Sequence, residues 1–259
     1  MATLNSPAFG ATPRPLLWFT SLCLVVSSSQ AAEPVTNSAP LVEIAERTLI
    51  SARARLATNL NDTAWQCARA LFDRAEFSTN HTERATLANE GIALCRRLVA
   101  AQPENIGGHF YLGLNLGQLA RTKLFGALPL VDEMEGAFLK SRALDEKFAF
   151  AGPDRYLGLL YLEAPGWPVS VGSRAKAHKH LTRAVELAPD FPENRLNLLE
   201  ALLRWNETKA ADEQRASLAL LLPRARKQFA GDAWAANRAN WENRWRALGP
   251  PPAPPCSDR

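Results

Sequence analysis

Only four of the 259 residues are cysteine, and no two of them have the close Cys-x-x-Cys spacing of a zinc or redox centre. The sequence also lacks a Gly-x-Ser-x-Gly elbow, a Walker loop and a dinucleotide fingerprint, so the commonest signatures of nucleophilic, nucleotide and cofactor chemistry are missing. Histidine is scarce. His178 and His180 form the closest pair, and two positions apart on a helix they point in different directions, which is poor metal geometry. Valine and isoleucine are sparse and no stretch alternates apolar and polar residues, which argues against a β fold. Charge of one sign is missing too. A formal net charge of +4, with arginines spread along the chain, falls short of the clustered basic face that nucleic acid requires. No cofactor, metal, nucleic acid or enzymatic activity is expected.

Hydrophobic residues make up 47% of the chain, enough for a sizeable core. Residues 1–32 read as a cleavable signal peptide. Arg14 supplies the positive charge, residues 16–26 form a short apolar run, and Ser29-Gln30-Ala31 places small residues at a cleavage site. The run is too short for a stable transmembrane anchor. An uncleaved, tethered helix is the alternative. Lipidation at Cys23 is disfavoured, because Thr20-Ser21-Leu22 is not a lipoprotein context. The expected location is periplasmic or secreted, where cysteines can oxidise. A linker over 33–40 follows, and a proline-rich tail over 249–259 ends the chain.

Residues 41–248 are rich in Ala, Leu, Arg and Glu, and they read as a succession of helices. The expected spans are 41–60, 62–77, 82–101, 105–121, 132–144, 154–162, 173–187, 192–205, 209–229 and 232–248. The helices recur in self-similar pairs. His109, Leu112, Gly113 and Leu116 have the offsets of the first helix of a tetratricopeptide repeat, and Leu157, Gly158 and Tyr161 repeat part of them. Arg195, Leu198, Leu199 and Leu202 keep the spacing without the glycine. Ala177, Leu181, Ala184 and Pro189 fit the second helix; Gly91, Cys95, Leu98 and Pro103 fit it loosely. The predicted fold is all-α, a tetratricopeptide-repeat-like α-solenoid of antiparallel helix pairs. Small residues at 113 and 158 let paired helices approach, and prolines stop the second helices. Gly113 and Gly158 lie 45 residues apart, against about 34 in a regular repeat. The excess falls in loops at 126–131 and 164–172.

Binding residues are sought around the second loop. Arg155, Tyr156, Tyr161 and Trp167 are side chains able to anchor a ligand or a partner, or to pack the loop onto the array. Asp154 reads as an N-cap or first-turn acid. Trp234, Trp241, Trp245 and Leu248 share one helical face, which would cap the array, with Arg238, Asn240, Arg244 and Arg246 on its polar side. Cys67 and Cys95 each lie 14 residues from His81, so they reach about the same height in a helical hairpin. A disulfide there needs an unusually close crossing, which Gly91 would permit; two buried free thiols are the alternative. Cys256 would be left over.

The signal segment, the irregular repeats, the Gly-Pro-x-Arg-x-Leu-Gly-x-Leu-Tyr stretch at 152–161, the Pro-Gly-Trp-Pro loop at 165–168, and Lys176, Ala177, Leu181, Ala184, Leu187 and Pro189 together resemble the T-component (TatT-like) proteins of TRAP-type transporters. The resemblance spans residues 105–205. It implies a periplasmic helical scaffold that associates with itself and with the transporter's solute-binding protein. It defines no ligand residue. Two functions are therefore carried forward. The first is an exported, non-enzymatic adaptor for a protein partner. The second is a binder of a small apolar ligand in a cavity between helix pairs near Tyr161 and Trp167.

Overall fold

Caps and stops along the chain set the helices. In the computed structural model, which describes residues 39–58, 60–123 and 125–249, Asn80 accepts a hydrogen bond from Thr82 N at 2.8 Å to start one helix. Asn105 accepts from Gly108 N at 2.9 Å, and Ser173 from Lys176 N at 3.3 Å, to start two more. Pro192 opens another from its first turn, where a missing N–H costs nothing. The described residues form α1 (Ala39–Thr58), α2 (Leu60–Glu76), α3 (His81–Ala101), α4 (Ile106–Ala120), α5 (Leu128–Leu144), α6 (Phe148–Glu163), α7 (Arg174–Leu187), α8 (Pro192–Arg204), α9 (Thr208–Gln228) and α10 (Ala235–Leu248). A 3-10 turn, Asp232–Trp234, precedes α10. No strand occurs among these residues, only an isolated bridge between Gly166 and Gly172. The protein is all-α. The signal segment, Cys23, Cys256 and residues 250–259 lie outside the described residues.

Each helix from α1 to α9 packs against its neighbours in sequence, and the even-numbered helices also touch one another, α2 to α4 to α6 to α8 to α10. The even helices thus form one layer and the odd helices the other. The glycines expected to allow close pairing do so. A β-carbon at Gly113 would fall 2.5 Å from Phe138 Cε1 on α5, and one at Gly158 would fall 2.7 Å from Leu181 Cγ on α7. Ala177, Leu181 and Ala184 are fully buried. Two aromatic groups run through the core. Trp65 stacks on Tyr111, which meets Phe110, Phe138 and Tyr156 in turn; farther along, Phe150, Phe191, Phe229, Trp234 and Trp241 gather under α10.

Four expectations are corrected. α5 begins at Leu128, inside the expected loop, because Pro129 sits in its first turn. α6 begins at Phe148 rather than at Asp154, through Ala149, Phe150 and Ala151 at φ of 50°, 58° and 58°. This is a left-handed turn of three residues that have side chains. The last helix is broken at Trp234, which lies in the 3-10 turn. Arg244, expected on a solvent face, is instead largely covered, bonded to Glu193, Asn197 and both oxygens of Glu200. The terminal helix is thereby locked onto α8.

Candidate functional site

The four residues singled out around the second loop do not converge. Arg155 is 2% exposed. It donates to Phe150 O at 2.9 Å, to Ala149 O at 3.2 Å and to Asn194 Oδ1 at 2.9 Å, and it lies 5.2 Å from the Tyr156 and Phe191 ring centres. Asn194 Nδ2 reaches Phe150 O, Ala184 O and Ala188 O. These two side chains clamp the left-handed turn, and burial lowers the Arg155 pKa. Tyr156 is core, stacked on Phe138. Tyr161 is core as well. Its hydroxyl donates to Glu135 at 2.6 Å, and burial followed by that bond raises its pKa. Trp167 stands alone at 89% exposure, so the loop's aromatic does not pack onto the array.

Asp154 caps nothing. It is fully buried between α5 and α7, where it accepts from Arg142 Nε at 2.9 Å and meets His180 Nδ1 at 2.6 Å. Cys67 and Cys95 are both buried, and their sulfurs are unbonded in this structure. The close approach at Gly91 is taken by a different helix. A β-carbon there would fall 2.5 Å from Asn115 Cγ on α4, and Asn115 Nδ2 spans to Ala68 O on α2 at 3.1 Å. Burial, above all, raises the pKa of both thiols.

The cavity of interest lies elsewhere. It has a volume of about 290 Å³ and lies, partly open to solvent, between α1, α2, the 3-10 turn and α10. Both ends of the array contribute to it, and the exposed Arg47 on α1 comes within 4.0 Å of Asp232. Leu41, Ile44, Ala45, Phe77 and Ala236 supply apolar wall, and Trp65 a flat aromatic one. A polar stripe crosses it. Gln66, Arg69 and Asp73 recur at i, i+3 and i+7, on one face of α2. Arg69 Nε lies 3.5 Å from Asp73 Oδ2. Gln66 Oε1 and Asp73 Oδ1 are shut off from solvent and accept no hydrogen bond from the protein. Burial pushes the Asp73 carboxyl up to about 7 against the opposing pull of Arg69.

Sequence reasoning missed this stripe, because polar residues at helical spacing read as a solvent face. The signal that was there is the neighbourhood: Trp65 beside the stripe, and Ala64, Cys67, Ala68, Leu71 and Ala75 on a fully buried opposite face. A second cleft, about 400 Å³, lies between α9 and α10 along Trp241 and Trp245, and its rim runs to Gly249, where the described chain ends. Among the described residues, no group of three or more His, Cys, Asp or Glu is placed to hold a metal, and no helix is long and apolar enough to cross a membrane. No protein-family model matches the sequence, and no curated protein matches it closely enough to count as a relative.

Proposed function

We propose that this is a non-enzymatic binding protein that holds one small amphipathic molecule in the cavity between its first helix pair and its terminal helix. The observation that carries this reading is the pair of buried acceptors without a protein partner, Gln66 Oε1 and Asp73 Oδ1, on two residues that line one cavity, whose wall is part apolar and part polar, with Thr48, Arg55, Asp232 and Asn237 among its other residues. A buried polar atom without a partner costs about 1–3 kcal/mol. Two of them, on residues that line one cavity, would be relieved by a ligand that draws both side chains toward it and donates to both. The matching chemistry is an ammonium group or a hydroxyl pair on an apolar body that lies against Trp65, Ile44 and Phe77. A volume near 300 Å³ suits a molecule at the small end of the drug-sized range.

This takes up the second function left open by the sequence and moves its site from the Trp167 loop to the α1–α2–α10 cavity. In the periplasm, where the N-terminal segment leads us to expect it, such a protein would hold its ligand beside a transporter's solute-binding protein. That joins the binding and adaptor readings.

A thermal-shift screen of primary amines and polyols with apolar bodies tests it. At a hundred times Kd, a ligand contributes about 2.7 kcal/mol, which raises Tm by roughly 5–10 °C in a chain of this size. The shift is expected in the wild type and absent in Asp73→Asn combined with Gln66→Leu. A panel that moves neither protein, or moves both equally, would sink the proposal.

A further inference from the structure

The two connections that lengthen the repeat end on the same side of the array. Successive helices run antiparallel, so α4 and α6 point the same way, and the chain leaves both at one edge, over 121–127 and over 164–173. Both connections carry exposed apolar side chains. Phe125 is 85% exposed, Trp167 89% and Val169 61%, and Leu128 stands 39% exposed where α5 begins. Most of the large hydrophobic side chains exposed among the described residues are on this edge.

The Trp167 loop is held in shape. Gly172 N donates to Pro165 O at 2.9 Å, Val169 N to Gly166 O at 3.0 Å and Ser173 N to Tyr161 O at 2.9 Å. A loop bonded this way has few conformations in which to fold its tryptophan inward, so the ring remains in water unless something covers it. Scattered single apolar residues on a surface need no explanation; two aromatic tips on neighbouring connections at one edge do.

Charge points to the cover. Residues 121–131 contain Arg121 and Lys123 and no acid; residues 164–181 contain Arg174, Lys176 and Lys179 and no acid. Lys123 and Lys179 are exposed. Arg174 lies 5.3 Å from the Trp205 ring centre and pairs with Glu207 at 2.8 Å, and Lys176 lies 3.6 Å from Glu135. The exposed lysines Lys123 and Lys179 thus share this edge with the apolar tips, while Arg121 is paired with Glu76 and the exposed Asp132 on α5 is the acid nearest in sequence to the first connection. A protein partner would need a broad complementary face, on the order of 1,000 Å². Protruding aromatic points with long basic side chains around them suit a lipid surface, where rings settle at the headgroup level and Lys and Arg reach phosphates.

We propose that this edge is a membrane-docking surface, with Phe125, Trp167 and Val169 inserted at the headgroup–acyl boundary of an anionic bilayer and Lys123 and Lys179 against its phosphates. The protein would then lie peripherally on the membrane.

Vesicle co-sedimentation of the full chain tests this, with phosphatidylcholine vesicles made with and without phosphatidylglycerol. Wild-type protein is expected to bind the anionic vesicles more tightly. Phe125→Ala with Trp167→Ala is expected to weaken binding at least about tenfold. Lys123→Glu with Lys179→Glu is expected to abolish the preference for anionic lipid. All four residues are exposed, and far-UV circular dichroism with Tm checks that each variant is folded. The emission lost in Trp167→Phe isolates the signal of Trp167, and lipids brominated near the headgroup should quench that share. Absence of vesicle binding, equal binding by the aromatic double variant, or unquenched Trp167 in vesicle-bound protein would each overturn the proposal; capture of a protein by this edge in place of lipid would do the same.

Discussion

Asp73 is where a single residue shows the cost of a buried carboxyl. Its carboxyl is held near 7 when folded, against about 3.9 in an unfolded chain. Between those values the native state binds the extra proton, so the stability Asp73 contributes is fully present below about pH 4 and is lost as pH rises to about 7. Asp73→Asn should remove that slope and make the empty protein more stable at pH 8 by a few kcal/mol, on the order of the three-unit difference, while weakening ligand binding. Urea unfolding of both proteins from pH 4 to 8 measures it; parallel curves would show that Asp73 does not titrate this way. The cysteines give a second prediction at this scale. Cys67 and Cys95 should resist alkylation in the folded protein and react fully in denaturant without reductant, read by peptide mass spectrometry. A peptide pair joined through sulfur would contradict the arrangement in which Asn115 occupies the space at Gly91.

The left-handed turn at the head of α6 is the feature of the secondary structure that most needs explaining. Three non-glycine residues at positive φ cost roughly 1–2 kcal/mol each, and the Arg155–Asn194 clamp holds them there. The turn delivers Phe150 onto Phe191, at 4.6 Å between ring centres, and into contact with Phe229 and Trp234. That aromatic group seats the 3-10 turn and α10, which form the far wall of the cavity. Ala149→Gly should therefore stabilise the protein by about 1 kcal/mol. Asn194→Ala, which removes the amide shared among Phe150 O, Ala184 O and Ala188 O and the oxygen that accepts from Arg155, should destabilise it by about 1–3 kcal/mol. Chemical denaturation of both variants separates the cases, and a neutral Asn194→Ala would remove the clamp from the account.

Most helix boundaries were legible because caps and prolines are local signals, as at Asn80, Asn105 and Pro192. The left-handed turn was not, since Ala-Phe-Ala has no left-handed preference and is held by groups up to 45 residues away. Arg155 drew attention for the right reason, a charged residue in an apolar stretch, but its partners proved to be backbone carbonyls rather than a ligand.

At the scale of the whole molecule, an all-α array of neighbouring pairs leaves its first helix and its last on the two sides of one partly open cavity. Pair stacking was visible in the sequence at Gly113, Gly158 and Ala177. The shared cavity was not, because it depends on the accumulated rotation of every pair. The central claim is that the cavity binds a ligand through Gln66 and Asp73. Its most direct test is a crystal structure of the protein with the best compound from the thermal-shift screen. The account predicts the compound between α1, α2 and α10, its donor group within hydrogen-bond distance of Gln66 Oε1 and Asp73 Oδ1 and its apolar body against Trp65. A compound bound instead in the cleft between α9 and α10, or in the cavity with both acceptors still unpartnered, would contradict it.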